Sequence, residues 1–148
     1  MAEPSQYAEL ARQLGAVGAV KRDMARVLPA SCPTGTLAVL TSIDRYGDMR
    51  IGRLSELLAV DMSVTSRHVT HCVERGWIER ICDPTDKRSR ILRLTPAGRE
   101  VLAELRLRMT SLLADRLRDW DEDDLSRLIG LMNRLLESFG AAVPARPG

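Results

Sequence analysis

A hairpin with a basic tip, directly after a polar helix, constrains the fold of this chain most. The runs WIERIC and RILRLT, at residues 77–82 and 90–95, are typical of two short strands, and DPTDKRS lies between them. Asp83 and Asp86 are turn-forming residues, so the segment predicts a β-hairpin with an extended tip. Three basic side chains lie at this tip: Lys87, Arg88 and Arg90.

Residues 62–76, just before the hairpin, fit a helix with one buried and one polar face. At about 100° per residue, the face predicted to be buried comprises Met62, Thr65, Val69, Cys72, Val73 and Gly76. The opposite face comprises Ser63, Ser66, Arg67, Thr70, His71 and Glu74, with Val64 and His68 on the flanks. Short hydrogen-bonding side chains and an arginine suit base edges and phosphates in the DNA major groove. The alternative is a helix face that is only solvated.

The segments before this polar helix predict two further short helices and a longer first one. Apolar residues at steps of three and four predict an amphipathic helix over residues 5–28 and a shorter one from Thr34 that ends at Gly47. RIGRLSELLAV predicts a third helix, after which Asp61 is the expected N-cap of the polar helix. Helix, short helix, polar helix and basic hairpin form a winged helix-turn-helix. The predicted fold is mainly α with a small β-wing, and residues 34–95 form the DNA-binding module.

Three stretches resemble the MarR family of bacterial transcriptional regulators: MRIGRLSELLAV, SRHVTHCVERGWIER and DPTDKRSRILRLTPAG. The last looks like that family's wing signature followed by its entry into the next helix, and the resemblance covers about residues 34–98. It implies a homodimer whose two winged domains bind a pseudo-palindromic operator in double-stranded DNA. Such proteins usually repress transcription, and a small-molecule effector or oxidation often relieves the repression.

The resemblance also implies which residues contact DNA. By position it places Ser63, Ser66, Arg67, Thr70 and His71 on the recognition helix. Thr65 and His68 of the same helix are further candidate DNA contacts. The candidate contacts in the wing are Asp86, Lys87, Arg88 and Arg90, with Arg88 as the minor-groove residue and Asp86 as its orienting partner. His71 departs from the pattern, because many relatives carry arginine at that position.

Two helices are predicted after the hairpin, at residues 96–120 and 122–140, with Pro96 in the first turn of one and Asp121 capping the other. With the first helix they present three apolar stripes, which a compact winged module is too small to cover. We therefore expect residues 5–28 and 96–140 to form a helical dimerisation region. Packing of the stripes within one chain is the alternative. Residues 141–148 are expected to be a flexible tail.

Composition limits the location and the partners of the chain. The 148 residues contain no apolar run near the roughly 18 to 20 residues of a membrane span, and MAEPSQYAE lacks the features of a signal peptide. We expect a cytoplasmic protein with no membrane partner. A net charge of +2 is too small to identify a DNA-binding protein, so any basic surface must be local.

Catalysis and metal binding find little support in the sequence. It has no GxGxxG, P-loop or GxSxG motif, so we expect no enzyme, no catalytic residue and no cofactor. His68 and Cys72 lie one helical turn apart, but Cys72 points into the predicted core, so no metal site is expected. The three cysteines are expected to be thiols. Cys32, beside Pro33 at a helix junction, is expected to be exposed and is the candidate redox residue.

A winged helix can also serve protein contacts, as an adaptor without sequence-specific DNA binding. Such a module has no need of three basic residues at the wing tip beside a polar helix. The sequence therefore favours the DNA-binding function over the adaptor function.

Overall fold

The computed structural model describes residues 1–141, which form six helices and a two-stranded antiparallel sheet. The helices are α1 (Pro4–Ala25), α2 (Thr34–Tyr46), α3 (Ile51–Leu58), α4 (Met62–Glu74), α5 (Pro96–Arg116) and α6 (Glu122–Ser138), and the strands are β1 (Ile78–Cys82) and β2 (Arg90–Leu94). The predicted fold class, mainly α with a small β-wing, is confirmed. Of the predicted tail at residues 141–148, all but Ala141 lies outside the described residues.

The chain divides into two compact units, Met1–Leu112 and Leu113–Gly148. The core of the first unit is built by α2, α3, α4, the hairpin and the first half of α5. Its buried side chains are Cys32, Val39, Leu40, Ile43, Met49, Leu54, Val69, Cys72, Ile78, Leu92, Leu94, Leu102 and Leu105. Burial of one Leu or Ile side chain stabilises the folded state by about 1.5–3 kcal/mol. Because α4 and the hairpin both contribute side chains to this core, their packing holds α4 in place against the hairpin.

The helices of the first unit begin and end close to the predicted residues. Gly47 ends α2 with φ of 84°, a left-handed conformation that suits glycine. Asp61 occupies the N-cap position of α4, but its side chain makes no capping bond. Met62 is 50% exposed, so its predicted burial is wrong. It is the first residue of α4, and its neighbours Val60 and Asp61 are exposed as well, so no other element covers this corner.

The hairpin pairs Ile78 with Leu94 at one end and Cys82 with Arg90 at the other. Met49, between α2 and α3, adds a short third segment, because its N–H and carbonyl both bond to Leu92, at 3.2 and 2.8 Å. Residues 83–89 form the turn at the tip of the wing. The predicted hairpin is confirmed, and its base is joined to the helical core.

The passage from β2 into α5 depends on two small residues. The Thr95 hydroxyl donates to the Gly76 carbonyl at 2.6 Å and accepts from the Gly98 N–H at 3.0 Å. A Cβ at Gly98 would overlap the Trp77 carbonyl oxygen and meet Leu94 Cδ1 at 2.8 Å. Only glycine therefore lets α5 start this close to the end of the recognition helix.

The first and the last helix, α1 and α6, contain no buried residue. Their exposed large apolar side chains are Tyr7, Leu10, Leu14, Val17 and Val20 in α1, and Leu125, Leu128, Ile129, Leu131 and Met132 in α6. The predicted cap of α6 is confirmed, since Asp121 accepts a bond from the Asp124 N–H at 2.8 Å. α1 ends at Ala25, before residue 28, because Leu28 packs on the core and the following Pro29 disfavours helical geometry there. No helix among the described residues is long and apolar enough to cross a membrane.

Candidate nucleic-acid interface

α4 presents a polar surface whose back is fixed in the core. Ser63, Arg67 and Thr70 are exposed, and Ser66, His68 and His71 are half-buried. Val69 and Cys72 are buried on the opposite side, as the periodicity predicted. The Arg67 guanidinium makes no hydrogen bond or ion pair within residues 1–141, so it is available to a ligand.

Thr65 does not belong to this surface. Its side chain is 0% exposed, and its hydroxyl donates to the Asp61 carbonyl at 3.2 Å. The prediction that Thr65 contacts DNA is therefore wrong, although its place on the buried stripe of the helix is confirmed. Thr65 anchors the first turn of α4 instead.

His71 faces the connection between α1 and α2, and His68 faces the first turn of α2. His71 Nε2 lies 2.6 Å from the Ser31 carbonyl, and because a carbonyl only accepts, Nε2 must carry the proton. The His71 ring also meets Trp77 edge-on, with ring centroids 6.0 Å apart. The His68 ring lies over Gly35, where a Cβ would overlap it. Both side chains are thus partly engaged within the protein, which sequence periodicity alone could not reveal.

The wing turn is shaped by Asp86. One oxygen of its carboxylate accepts from the Arg88 N–H at 3.1 Å, and the other accepts from the Ser89 hydroxyl at 3.0 Å. Asp86 therefore orders the backbone at Arg88 and not its guanidinium, which has no partner within the described chain. Arg90 Nη1 donates to the Lys87 carbonyl at 3.4 Å. Lys87 and Arg88 in the turn and Arg90 at the start of β2 are all exposed.

Sequence reasoning missed the ion pair that holds the wing. Asp83, 5% exposed, accepts hydrogen bonds from Arg50 at the start of α3, through Nε at 3.0 Å and also through Nη2. It also accepts from the Thr85 N–H at 2.9 Å and the Thr85 hydroxyl at 2.8 Å. The Arg50 bond, followed by the two from Thr85, lowers the pKa of Asp83 to about 2. The partners are 33 positions apart, and nothing local in the sequence signals the pairing.

The space between α3 and the hairpin is basic. A cavity of about 540 Å³ there is lined by four arginines, Arg50, Arg53, Arg80 and Arg90, and by one carboxylate, Glu56. Arg50 is paired with Asp83 and Arg53 with Glu56, so Arg80 and Arg90 supply the excess positive charge. Arg80 also reaches α4, since its Nη2 donates to the Thr70 hydroxyl at 3.4 Å. The net charge of +2 required any basic surface to be local, and this local surface lies beside the polar face of α4.

The cysteines differ from expectation. Cys32 is 0% exposed, so its predicted exposure is wrong, because the turn after Pro29 folds its side chain into the core. Burial raises the pKa of Cys32, and burial followed by the proximity of Cys32 raises the pKa of Cys72 to about 12. A redox sensor needs an accessible thiolate, so the structure does not support Cys32 in that role. Cys82, at the end of β1, is the exposed cysteine among the described residues.

Comparisons with known proteins agree with this geometry. A family model described as MarR family matches residues 35–89. The multiple antibiotic resistance protein MarR of Salmonella typhimurium is 30% identical over 66% of this chain and 69% of its own length. Wild-type apo MarR from E. coli superposes with a TM-score of 0.76 at 25% identity, covering 86% of this chain and 96% of that one. RV1404 from Mycobacterium tuberculosis shares the fold, with a TM-score of 0.80 at 22% identity over 98% of this chain and 100% of its own. By sequence and by fold, this chain belongs to the MarR family of transcriptional regulators.

Proposed function

We propose that this DNA-binding transcriptional regulator, which is not an enzyme, acts as a homodimer on a pseudo-palindromic operator and represses transcription. The observation that carries the proposal is the exposed polar face of α4, with its unpartnered Arg67, beside a wing with three exposed basic residues at its tip. We also propose that it works in the cytoplasm of a bacterial cell, where its DNA target lies.

α4 would enter the major groove. Ser63, Ser66, Arg67 and Thr70 can reach base edges and phosphates without breaking a bond that holds the fold. His71 keeps one ring nitrogen on Ser31, so only Nδ1 remains for DNA. Arg88 at the wing tip would enter the minor groove, with Lys87 and Arg90 close to phosphates.

The proposed homodimer would cover the exposed apolar side chains of α1 and α6. Both α1 and α6 expose several large apolar side chains, and large exposed apolar patches often mark sites where a partner binds. A second copy supplies the same surfaces, and two-fold symmetry would place the two recognition helices about one DNA turn apart. A mutant MarR from E. coli complexed with operator DNA shares the fold, with a TM-score of 0.67 at 22% identity.

Selection of bound duplexes from a random DNA pool tests the function directly. The purified protein is incubated with the pool at about 150 mM salt, and bound DNA is sequenced. We expect an enriched inverted repeat whose half-sites are about one turn apart. A variant with Lys87, Arg88 and Arg90 all changed to Ala serves as the control and should enrich little. Absence of any enriched sequence with the wild type would contradict the proposal and favour the adaptor function.

Salt dependence separates the two functions further. Each phosphate contact should add about 0.9 to the slope of log affinity against log salt concentration. The affinity of a DNA regulator therefore falls steeply between low and physiological salt. A partner protein bound mainly through apolar contacts would show a shallow slope.

A further inference from the structure

The imidazole of His71 has its two ring nitrogens in different surroundings. Nε2 lies 2.6 Å from the Ser31 carbonyl oxygen, whereas Nδ1 makes no hydrogen bond within the part of the chain that the structure describes. Among those residues, the buried polar side-chain atom without a partner is the Thr36 hydroxyl, so Nδ1 of the half-buried His71 keeps access to solvent. One nitrogen is therefore engaged, and the other is free to contact a ligand.

The Ser31 carbonyl determines which nitrogen carries the proton. A carbonyl oxygen only accepts, so Nε2 must donate, and in the neutral ring Nδ1 is then an acceptor with a lone pair. Turning the ring over would bring a carbon instead of Nε2 against that oxygen. The edge-on contact with Trp77, at 6.0 Å between ring centroids, packs against the ring as well. His71 thus presents one acceptor and no donor to a ligand.

His71 belongs to the surface that is proposed to enter the major groove. It lies one helical turn after Arg67, and both side chains line the cleft between α4 and the start of α2. Thr70, its neighbour in the sequence, is exposed on the polar face. A duplex that contacts Arg67 and Thr70 therefore lies beside Nδ1 of His71.

An acceptor on this surface matches few of the groups that a duplex exposes. In the major groove, guanine presents the acceptors O6 and N7, adenine the acceptor N7 and thymine the acceptor O4. Phosphate oxygens are acceptors too. The donors are the two exocyclic amino groups, N6 of adenine and N4 of cytosine. A lone pair repels the acceptors and bonds only to these amino groups.

We propose that His71 recognises an exocyclic amino group of the operator, on adenine or cytosine, through Nδ1. This inference rests on the proposed function and states which base chemistry that residue selects. Guanine and thymine at the same position are disfavoured, because their acceptors would face the lone pair. The selection is set by a backbone oxygen 40 positions away in the sequence, since Ser31 holds the proton on the other nitrogen.

Removal of single amino groups from the selected operator tests the contact. Each adenine is replaced in turn by purine and each cytosine by 2-pyrimidinone, which lack the amino group, and affinity is measured at pH 8 so that the imidazole is uncharged. For the wild type, we expect one position in each half-site at which the loss lowers affinity about tenfold. Whether that position holds adenine or cytosine identifies the base.

Two variants separate this contact from the weakened base pair. His71→Ala should bind the natural operator about tenfold more weakly and should be insensitive to the amino group at that position. Because both proteins meet the same altered base pair, a shared loss would come from the DNA alone. The matched control His68→Ala, one turn earlier on α4, should keep the tenfold response. An equal response in wild type and His71→Ala at every position would overturn the proposal.

A change of chemistry at the same position gives a second test. The guanidinium in His71→Arg only donates, so sequence selection with this variant should replace the adenine or cytosine by guanine. Selection of an unchanged motif would overturn the proposal and indicate a contact with the phosphate backbone.

The tautomer can be measured without DNA. Long-range ¹H–¹⁵N NMR spectra of the free protein at pH 8 should show His71 with a protonated Nε2 and an unprotonated Nδ1. A proton on Nδ1 would overturn the proposal. If the wild type selects no sequence at all, the proposed function fails and this inference with it. A selected motif without an amino-dependent position would overturn this inference alone.

Discussion

Asp83 joins the wing to the helical core through one carboxylate. Its hydrogen bonds to Arg50 and Thr85 tie the base of the wing turn to the first residues of α3. At the level of single residues, this pair has the clearest consequence for stability, because the pKa of Asp83 is about 2 in the folded protein against an ordinary value of 3.8.

The charge on Asp83 should make stability depend on pH in acid. A folded-state pKa below the unfolded one means that the carboxylate stabilises the fold fully above 3.8 and that this contribution disappears as pH falls towards about 2. Asp83→Asn should therefore unfold at lower urea concentration than the wild type at pH 7, with the difference shrinking through that acid range. Asp119→Asn, at an exposed position in the second unit, is the control. An equal deficit at pH 7 and pH 2 would mean that packing, and not charge, explains the effect.

Gly98 should tolerate no side chain. Gly98→Ala would push a methyl group into the Trp77 carbonyl oxygen, and because backbone cannot move aside as a flexible side chain does, we expect a loss of about 1–3 kcal/mol in the free energy of unfolding. Chemical denaturation measures it. In Gly52→Ala, the new methyl group would meet only Met62 Cε at 3.9 Å. The free energy of unfolding of this variant should be unchanged or higher by about 0.4–1 kcal/mol. Similar results for both variants would contradict this explanation.

Among the elements, the recognition helix shows what periodicity can and cannot predict. The buried stripe through Thr65, Val69 and Cys72 followed from the 3.6-residue repeat alone, because a helix with one polar face must bury the other. Accessibility of individual side chains did not follow. The bond of His71 to Ser31 and the exposure of Met62 depend on segments distant in the sequence or on the end of the helix.

The two strands of the wing were likewise predictable, but the ion pair that holds the wing to the helical core was not. Alternation and turn residues predicted both strands to within one residue, whereas the Arg50–Asp83 pair required the tertiary structure. The predicted exposure of Cys32 failed for the same reason, since the residue follows a tight turn that only packing defines.

Removal of the wing arginine should weaken DNA binding without affecting assembly. Arg88→Ala should cost about 1–3 kcal/mol in affinity for the selected operator, because the exposed guanidinium has no role within the fold. Fluorescence anisotropy measures the affinity, and light scattering verifies that the oligomeric state is unchanged. Arg99→Ala removes one positive charge from α5 and should have a much smaller effect. Unchanged affinity in Arg88→Ala would show that the wing does not carry recognition.

At the scale of the whole molecule, the apolar faces of α1 and α6 predict the oligomeric state. We expect a particle of twice the 16.5 kDa chain mass in light scattering. Ile129→Asp, which places a charge on the apolar face of α6, should dissociate it and reduce operator affinity, because a single winged module keeps only one half-site. Arg134→Asp, on the opposite face of the same helix, should remain dimeric. A wild-type particle of single-chain mass would contradict the homodimer.

The bond from His71 to Ser31 links the recognition helix to the segment that follows α1, the helix proposed to pack against its counterpart in the second copy. In the proposed homodimer, this hydrogen bond would hold the recognition helix to the segment next to the dimer helices. One base pair inserted between the half-sites rotates one half-site by about 34° relative to the other. A recognition helix held in this way cannot rotate by itself to follow that change. Operator affinity should therefore depend on the spacing between the half-sites as strictly as it depends on their base sequence.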